Sequence, residues 1–80
     1  MSKIQAVYGM DDEWTSNELL KWLLQHKMEP IKEAHIKGHE IRYRILEPVF
    51  KSYITKKIMV YFKNVKYNKH RYIYFVLGFP

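Results

Sequence analysis

The sequence predicts an α+β fold, a single small domain in which an antiparallel sheet of four or five strands carries one N-terminal helix on one face. Three observations lead there. Only one stretch, residues 16–27, has helical periodicity with both of its ends marked. Residues 33–44 fall into complementary cross-strand pairs from a single choice of turn. The last strand-like run is apolar on both faces, as a strand inside a sheet is. Eighty residues leave room for one domain and a modest core. There is no cysteine, so a 48% hydrophobic composition holds the fold without disulfides, and a homo-oligomer remains open.

Residues 3–8 read as the first strand, with Ile4, Ala6 and Tyr8 on one side, Val7 on the other, and Gly9 ending it. The acidic loop Asp11-Asp12-Glu13 leads into the helix. Thr15 is a good N-cap, Glu18 completes a capping box, and Trp14 with Leu19 forms a hydrophobic staple. Leu19, Leu20, Leu23 and Leu24 make one apolar stripe. Lys27 suits the negative end of the dipole, and Met28-Glu29-Pro30 stops the helix.

A hairpin follows, with Gly38-His39 at its tip as a glycine-first type II′ turn. That register sets Lys37 opposite Glu40, His35 opposite Arg42 and Glu33 opposite Arg44 on one face. Ile36 meets Ile41 and Ala34 meets Tyr43 on the other. Each such pair contributes only roughly 0.2–1 kcal/mol, so the agreement among them is the stronger argument.

Residues 48–67 fit two patterns. As a helix over 49–62 they complete a β-α-β-β-α-β order resembling ferredoxin-like folds. As a strand, Ile54, Ile58, Val60 and Phe62 share a face with Lys56 intruding, and a bulge or turn near Lys63-Asn64 restores the phase. Residue type favours the strand. Asn68-Lys69-His70 reads as a polar turn, and residues 71–79 as a final strand, central or covered on both sides.

Function is argued from charge. All eight acids precede Pro48, beside seven Lys and Arg, which gives 7 − 8 = −1 for the first 47 residues. The last 33 hold seven cations and no acid, giving +7. Lys51, Lys56, Lys57, Lys63, Lys66, Lys69 and Arg71 are these charges, and Arg42 and Arg44 extend the field from the hairpin. Lysines neutralise phosphates, and Tyr61, Tyr67, Tyr72 and Tyr74 offer rings for unpaired bases. The expectation is a non-enzymatic protein that binds RNA or single-stranded DNA. A solvated lysine rim around core tyrosines is the blander reading.

The final strand lacks the RNA-recognition-motif signature: Arg71, Phe75 and Val76 match, but Tyr72 replaces a glycine and Gly78 an aromatic. The alternative partner is an acidic protein surface, with the chain as a small phage or viral inhibitor. Eleven Lys against three Arg, with abundant Ile and Tyr, suits an AT-rich genome of that kind. Trp22, with His26 one turn on, is the candidate protein contact.

A third expectation is enzymatic. In size and charge the chain is similar to small basic ribonuclease toxins of the RelE class, which implies RNA-cutting roles for Lys57, Lys66, Arg71 and Tyr74. No nucleophile elbow, phosphate-cradling glycine loop or paired carboxylates point to other chemistry. Asp11-Asp12-Glu13 would suit Mg²⁺ with substrate phosphates, but acids before a helix more often serve its dipole. His26, His35, His39 and His70 lack the spacing of a metal site, and no cofactor is expected. No targeting segment or membrane span is read from the chain, so the expected location is the cytoplasm, the host's if the protein is viral.

Overall fold

A computed structural model describes residues 2–61 and 70–80, except the side chains of Tyr61 and His70. The order is β1 (Lys3–Met10), α1 (Ser16–Gln25), β2 (His35–Lys37), β3 (Glu40–Arg44), β4 (Ser52–Tyr61) and β5 (His70–Phe79). The strands form one antiparallel sheet in the order β2-β3-β1-β5-β4. Beside it lies the single helix of the described residues, so the α+β expectation holds with five strands. No described helix is long and apolar enough to cross a membrane.

The hairpin forms in the expected register, with Lys37 opposite Glu40, Ile36 opposite Ile41 and His35 opposite Arg42. Gly38 has φ +60° and His39 does not, as a glycine-first type II′ turn requires. Pairing stops at His35. Farther back, the Ile31 N–H bonds Arg44 O at 2.9 Å, and Arg44 turns to Glu47 at 3.6 Å. The expected pairs of Glu33 with Arg44 and Ala34 with Tyr43 therefore do not continue the ladder.

Two expectations for β1 are corrected. Gly9 does not end the strand but pairs with Ile41 inside it. A register shift between Ile4 and Ala6 also breaks the simple alternation. Gln5 O there accepts from both Ile45 and Leu46 N–H, and Gln5 Nε2 donates to Leu46 O. The extra residue carries Ile4 to the helix side, opposite Leu77, while Ala6 and Tyr8 keep to the other.

Thr15 and Glu18 form the capping box in full. At the other end the helix stops at Gln25 rather than Lys27. Met28 N–H bonds Leu23 O, Lys27 N–H bonds Leu24 O, and Lys27 has φ +60°. This is a Schellman cap with lysine where glycine is usual, and Met28 packs on the core beside it. Leu19 and Leu23 are buried, but Leu24 is 52% exposed and Trp22 packs against the core in its stead.

The core lies between α1 and the face of the sheet carrying Val7, Ile41, Tyr43, Ile73 and Phe75. Residues 48–51 of the ambiguous segment are irregular, and from Ser52 on its described part is strand. Its ten residues pair with β5 from Ser52–Phe79 to Tyr61–His70 without a shift, so the second helix at 49–62 does not form. Ile54, Lys56, Ile58 and Val60 share the helix side, as the strand pattern predicts. Phe62, the slip near Lys63-Asn64, and Asn68 and Lys69 of the polar turn lie outside the described residues. His70 opens β5.

Trp14 joins the two ends of the chain. Its indole is buried and lies against Gly9, where an added Cβ would stand 2.7 Å from Cδ1. Its Nε1–H donates to Tyr72 O at 3.0 Å. Gly9→Ala is therefore expected to cost roughly 1–3 kcal/mol in urea unfolding, as overpacking of a fixed ring does. Gly78→Ala, whose Cβ would fall 2.3 Å from the Phe50 ring, should cost less. Phe50 is only partly buried on the loop before β4 and loses less packing on displacement than the fully buried Trp14. Equal losses would mean that Trp14 is not held as described.

Candidate functional site

Opposite the helix, the sheet presents a face with a different chemistry. Strand pairing sets His35, Arg42, Tyr8, Tyr74 and Lys57 side by side, one residue from each of the five strands. The Tyr8 and Tyr74 rings are parallel within 4°, with centroids 4.8 Å apart. The Arg42 guanidinium lies 4.8 Å from the Tyr8 centroid. Lys57 Nζ lies 4.1 Å from the Tyr72 ring and 5.8 Å from the Tyr74 ring. The tyrosine faces are thus engaged by one another and by cations.

Alternation along the strands extends this face. Ala6 and Val76 form its buried floor, and Arg44, Thr55, Met59 and Tyr53 continue it. Phe50 folds back over Gly78 and meets Tyr53 edge-on at 6.0 Å. Burial raises the pKa of the Tyr8 phenol, as does Glu40, against the opposing effects of Arg42 and a hydrogen bond with Thr55. Glu40 meets Arg42 at 3.3 Å and Glu47 meets Arg44 at 3.6 Å, which offsets part of the charge of the two guanidinium groups.

The residues singled out from sequence divide. Arg42, Arg44, Lys57, Tyr72 and Tyr74 lie on this face. Lys56 is on the opposite side of β4, across from Phe75. Arg71 is also on the helix side, where it meets Glu18 at 2.6 Å and lies 5.2 Å from the Trp14 ring. Lys51 is exposed at the far end of β4, its N–H on Phe79 O. Tyr61 belongs to β4 by its backbone, and Lys63, Lys66, Tyr67 and Lys69 lie outside the described residues. Lys57 and Tyr74 are therefore not brought together with Arg71, as the RelE likeness implied.

Trp22 is half-buried, 6.1 Å from the Phe75 ring, with the exposed His26 stacked on it at 3.9 Å. His26 Nδ1–H donates to Trp22 O at 2.7 Å. The pair covers the edge of the core. The sequence sets His35 on the hairpin face of Arg42, but neither it nor Tyr8 is among the expected site residues, because that site is drawn from cations and from the tyrosines of the acid-free part of the chain. Alternation from the hairpin register gives His35; the pairing of β1 with β5 is needed for Tyr8.

The acids have local duties. Glu13 Oε1 accepts the Tyr72 N–H at 3.0 Å, and His39 Nδ1 lies 3.3 Å from Asp11 Oδ2. Glu18 serves both the cap and Arg71. Among the described residues no group of three or more His, Asp or Glu side chains is placed to hold a metal ion. Comparison with protein-family models, curated proteins and solved structures found no match.

Arg71 holds the Glu18 carboxyl below its ordinary pKa of 4.5, aided by the Thr15 hydrogen bonds and opposed by burial. A lowered folded pKa gives stability that is present above the unfolded value and lost as pH falls through the folded one. Glu18→Gln keeps a residue suited to the capping box but removes the charge. Wild type should exceed it in stability at pH 7, and the gap should close on acidification below about pH 4.5. Urea titrations at stepped pH check this; a gap independent of pH would contradict it.

Proposed function

We propose that this chain is a small non-enzymatic nucleic-acid-binding protein whose helix-free sheet face takes RNA or single-stranded DNA. The observation that carries the reading is the five-strand row from His35 to Lys57, with Arg42 and Lys57 set against tyrosine rings. Those rings are already engaged, so the arrangement suits phosphates better than stacked bases. Lys57, restrained by the rings, keeps its full charge, whereas the pair with Glu40 offsets part of that of Arg42. A broad sheet face without a protruding helix also suits a flexible single strand better than a duplex groove.

A second reading has its own observation. The outer edge of β4 carries no partner strand among the described residues, and Ile54 and Met59 on it are more than half exposed. An acidic protein docking along this edge would use lysines for steering and the apolar residues as anchors. Nuclease treatment of a pulldown separates the two: a partner retained after digestion favours the protein.

Binding to an oligonucleotide should weaken steeply with salt, because released counterions drive it. Lys57→Gln should flatten the log–log salt slope by about 0.7, one phosphate contact on a single strand. Lys56→Gln, on the opposite face, should change it much less. Fluorescence anisotropy from low to high salt reads both. Affinity indifferent to salt, or equal effects at the two lysines, would overturn the assignment of this face.

A further inference from the structure

Beside the Arg42 end of the row the surface is hollow. A depression of about 510 Å³ opens between the residue 32–37 segment, β3 and Pro48, and Lys32, His35, Lys37, Arg42 and Arg44 line it. Among the described residues Glu33 is the carboxylate in its lining, and Glu40 and Glu47 meet Arg42 and Arg44 from outside the lining. Four permanent cations against these three acids leave a formal balance of 4 − 3 = +1 with His35 neutral. Like charges gathered in a concavity repel one another, so the hollow favours an anion.

Its donors are underused. A guanidinium has five N–H groups. Arg42 uses one, from Nη2 to Glu40 at 3.3 Å, and its Nε is shielded from solvent with no hydrogen-bond partner among the described residues. Among the described residues Arg44 has the longer contact with Glu47 at 3.6 Å. Two guanidinium forks two residues apart on one strand face suit a planar or tetrahedral oxyanion that accepts at several oxygens. The volume falls in the range of small-ligand sites, roughly 300–1,000 Å³, enough for a phosphate with its sugar.

We propose that this hollow is a phosphomonoester site, taking the terminal phosphate of a nucleic-acid strand whose backbone continues along the row toward Lys57. A monoester carries more charge and more free oxygens than an internal diester, and so answers the two guanidinium forks of the hollow better. The strand part rests on the function proposed above. The phosphate chemistry is the same for a free nucleotide, and the two sources are separable.

The test uses the full chain and one short single-stranded oligonucleotide with a 5′-phosphate, a 3′-phosphate or two hydroxyl ends, at fixed ionic strength. One phosphorylated end should bind about tenfold tighter than the hydroxyl form, the scale of one charge-assisted contact. Arg44→Gln should bring that ratio toward one, and Lys37→Gln serves if the first variant loses its thermal unfolding transition. Lys57→Gln should weaken every form and preserve the ratio. Ends that bind alike, or a preference that survives both pocket variants, would overturn the hollow while leaving backbone binding intact. If no oligonucleotide binds, the function proposed above fails, and calorimetry with a nucleoside monophosphate against its nucleoside decides the hollow alone. Binding of the monophosphate only upholds it for free nucleotides; binding of neither ends it.

Discussion

The structure depends on the way Glu13 and Trp14 finish a strand that β1 leaves unpaired. Pairing of β1 with β5 runs to Tyr8–Tyr74, and the chain then turns away after Met10. Tyr72 would keep an N–H and a carbonyl on its inner edge without partners, at a cost comparable to a lost hydrogen bond each. Glu13 accepts the N–H and the Trp14 indole donates to the carbonyl. Gly9 leaves space for the indole, Arg71 lies over it, and Glu18 holds Arg71 while capping α1. One connected set of contacts thus seats the helix on the sheet and closes the β1–α1 loop against β5. It also draws Asp11, Asp12, Glu13 and Glu18 to the helix end of the molecule.

This seating determines what the other face is free to be. With α1 and the acidic loop committed to one side, the opposite side keeps Arg42, Arg44 and Lys57, with Glu33, Glu40 and Glu47 the carboxylates near them among the described residues. Side chains alternate along β4, so Lys56 and Lys57 separate to opposite faces although they are adjacent in sequence. A positive stretch of chain is therefore not a positive surface. The face is assembled from both halves, with Tyr8, His35 and Arg42 from the first and Lys57, Tyr72 and Tyr74 from the second.

The legible parts were those fixed by local chemistry. Gly38 set the hairpin turn and with it three pairs, and Thr15 with Glu18 set the start of α1. The pairing failed at Glu33 because a non-local bond from Ile31 to Arg44 displaced it. The helix end failed because Lys27 takes the left-handed position usually given to glycine. The remaining signal was Met28, an apolar residue five after Leu23, which is where a Schellman cap places its hydrophobic contact. The bulge at Gln5 left no pattern at all, since one inserted residue exchanges the faces of everything before it. Plain alternation therefore puts Ile4 on the side of Ala6 and Tyr8, whereas the bulge separates it from them.

The absence of acids after Pro48 has a structural consequence that links composition to the candidate site. A lysine on an exposed strand usually finds a carboxylate on the neighbouring strand, and the pair cancels. Within the β4–β5 ribbon no carboxylate exists, so Lys57 rests on the Tyr72 and Tyr74 rings. An aromatic face attracts the cation through its quadrupole, by roughly 0.5–1 kcal/mol at an exposed site, without neutralising it. The tyrosines therefore place charge while leaving it available, and their value to the site lies in orientation more than in stacking surface. This reverses the division of labour that composition alone suggests, in which lysines attract a strand and tyrosines grip it. Here the rings serve the cations, and the cations are what face an incoming anion.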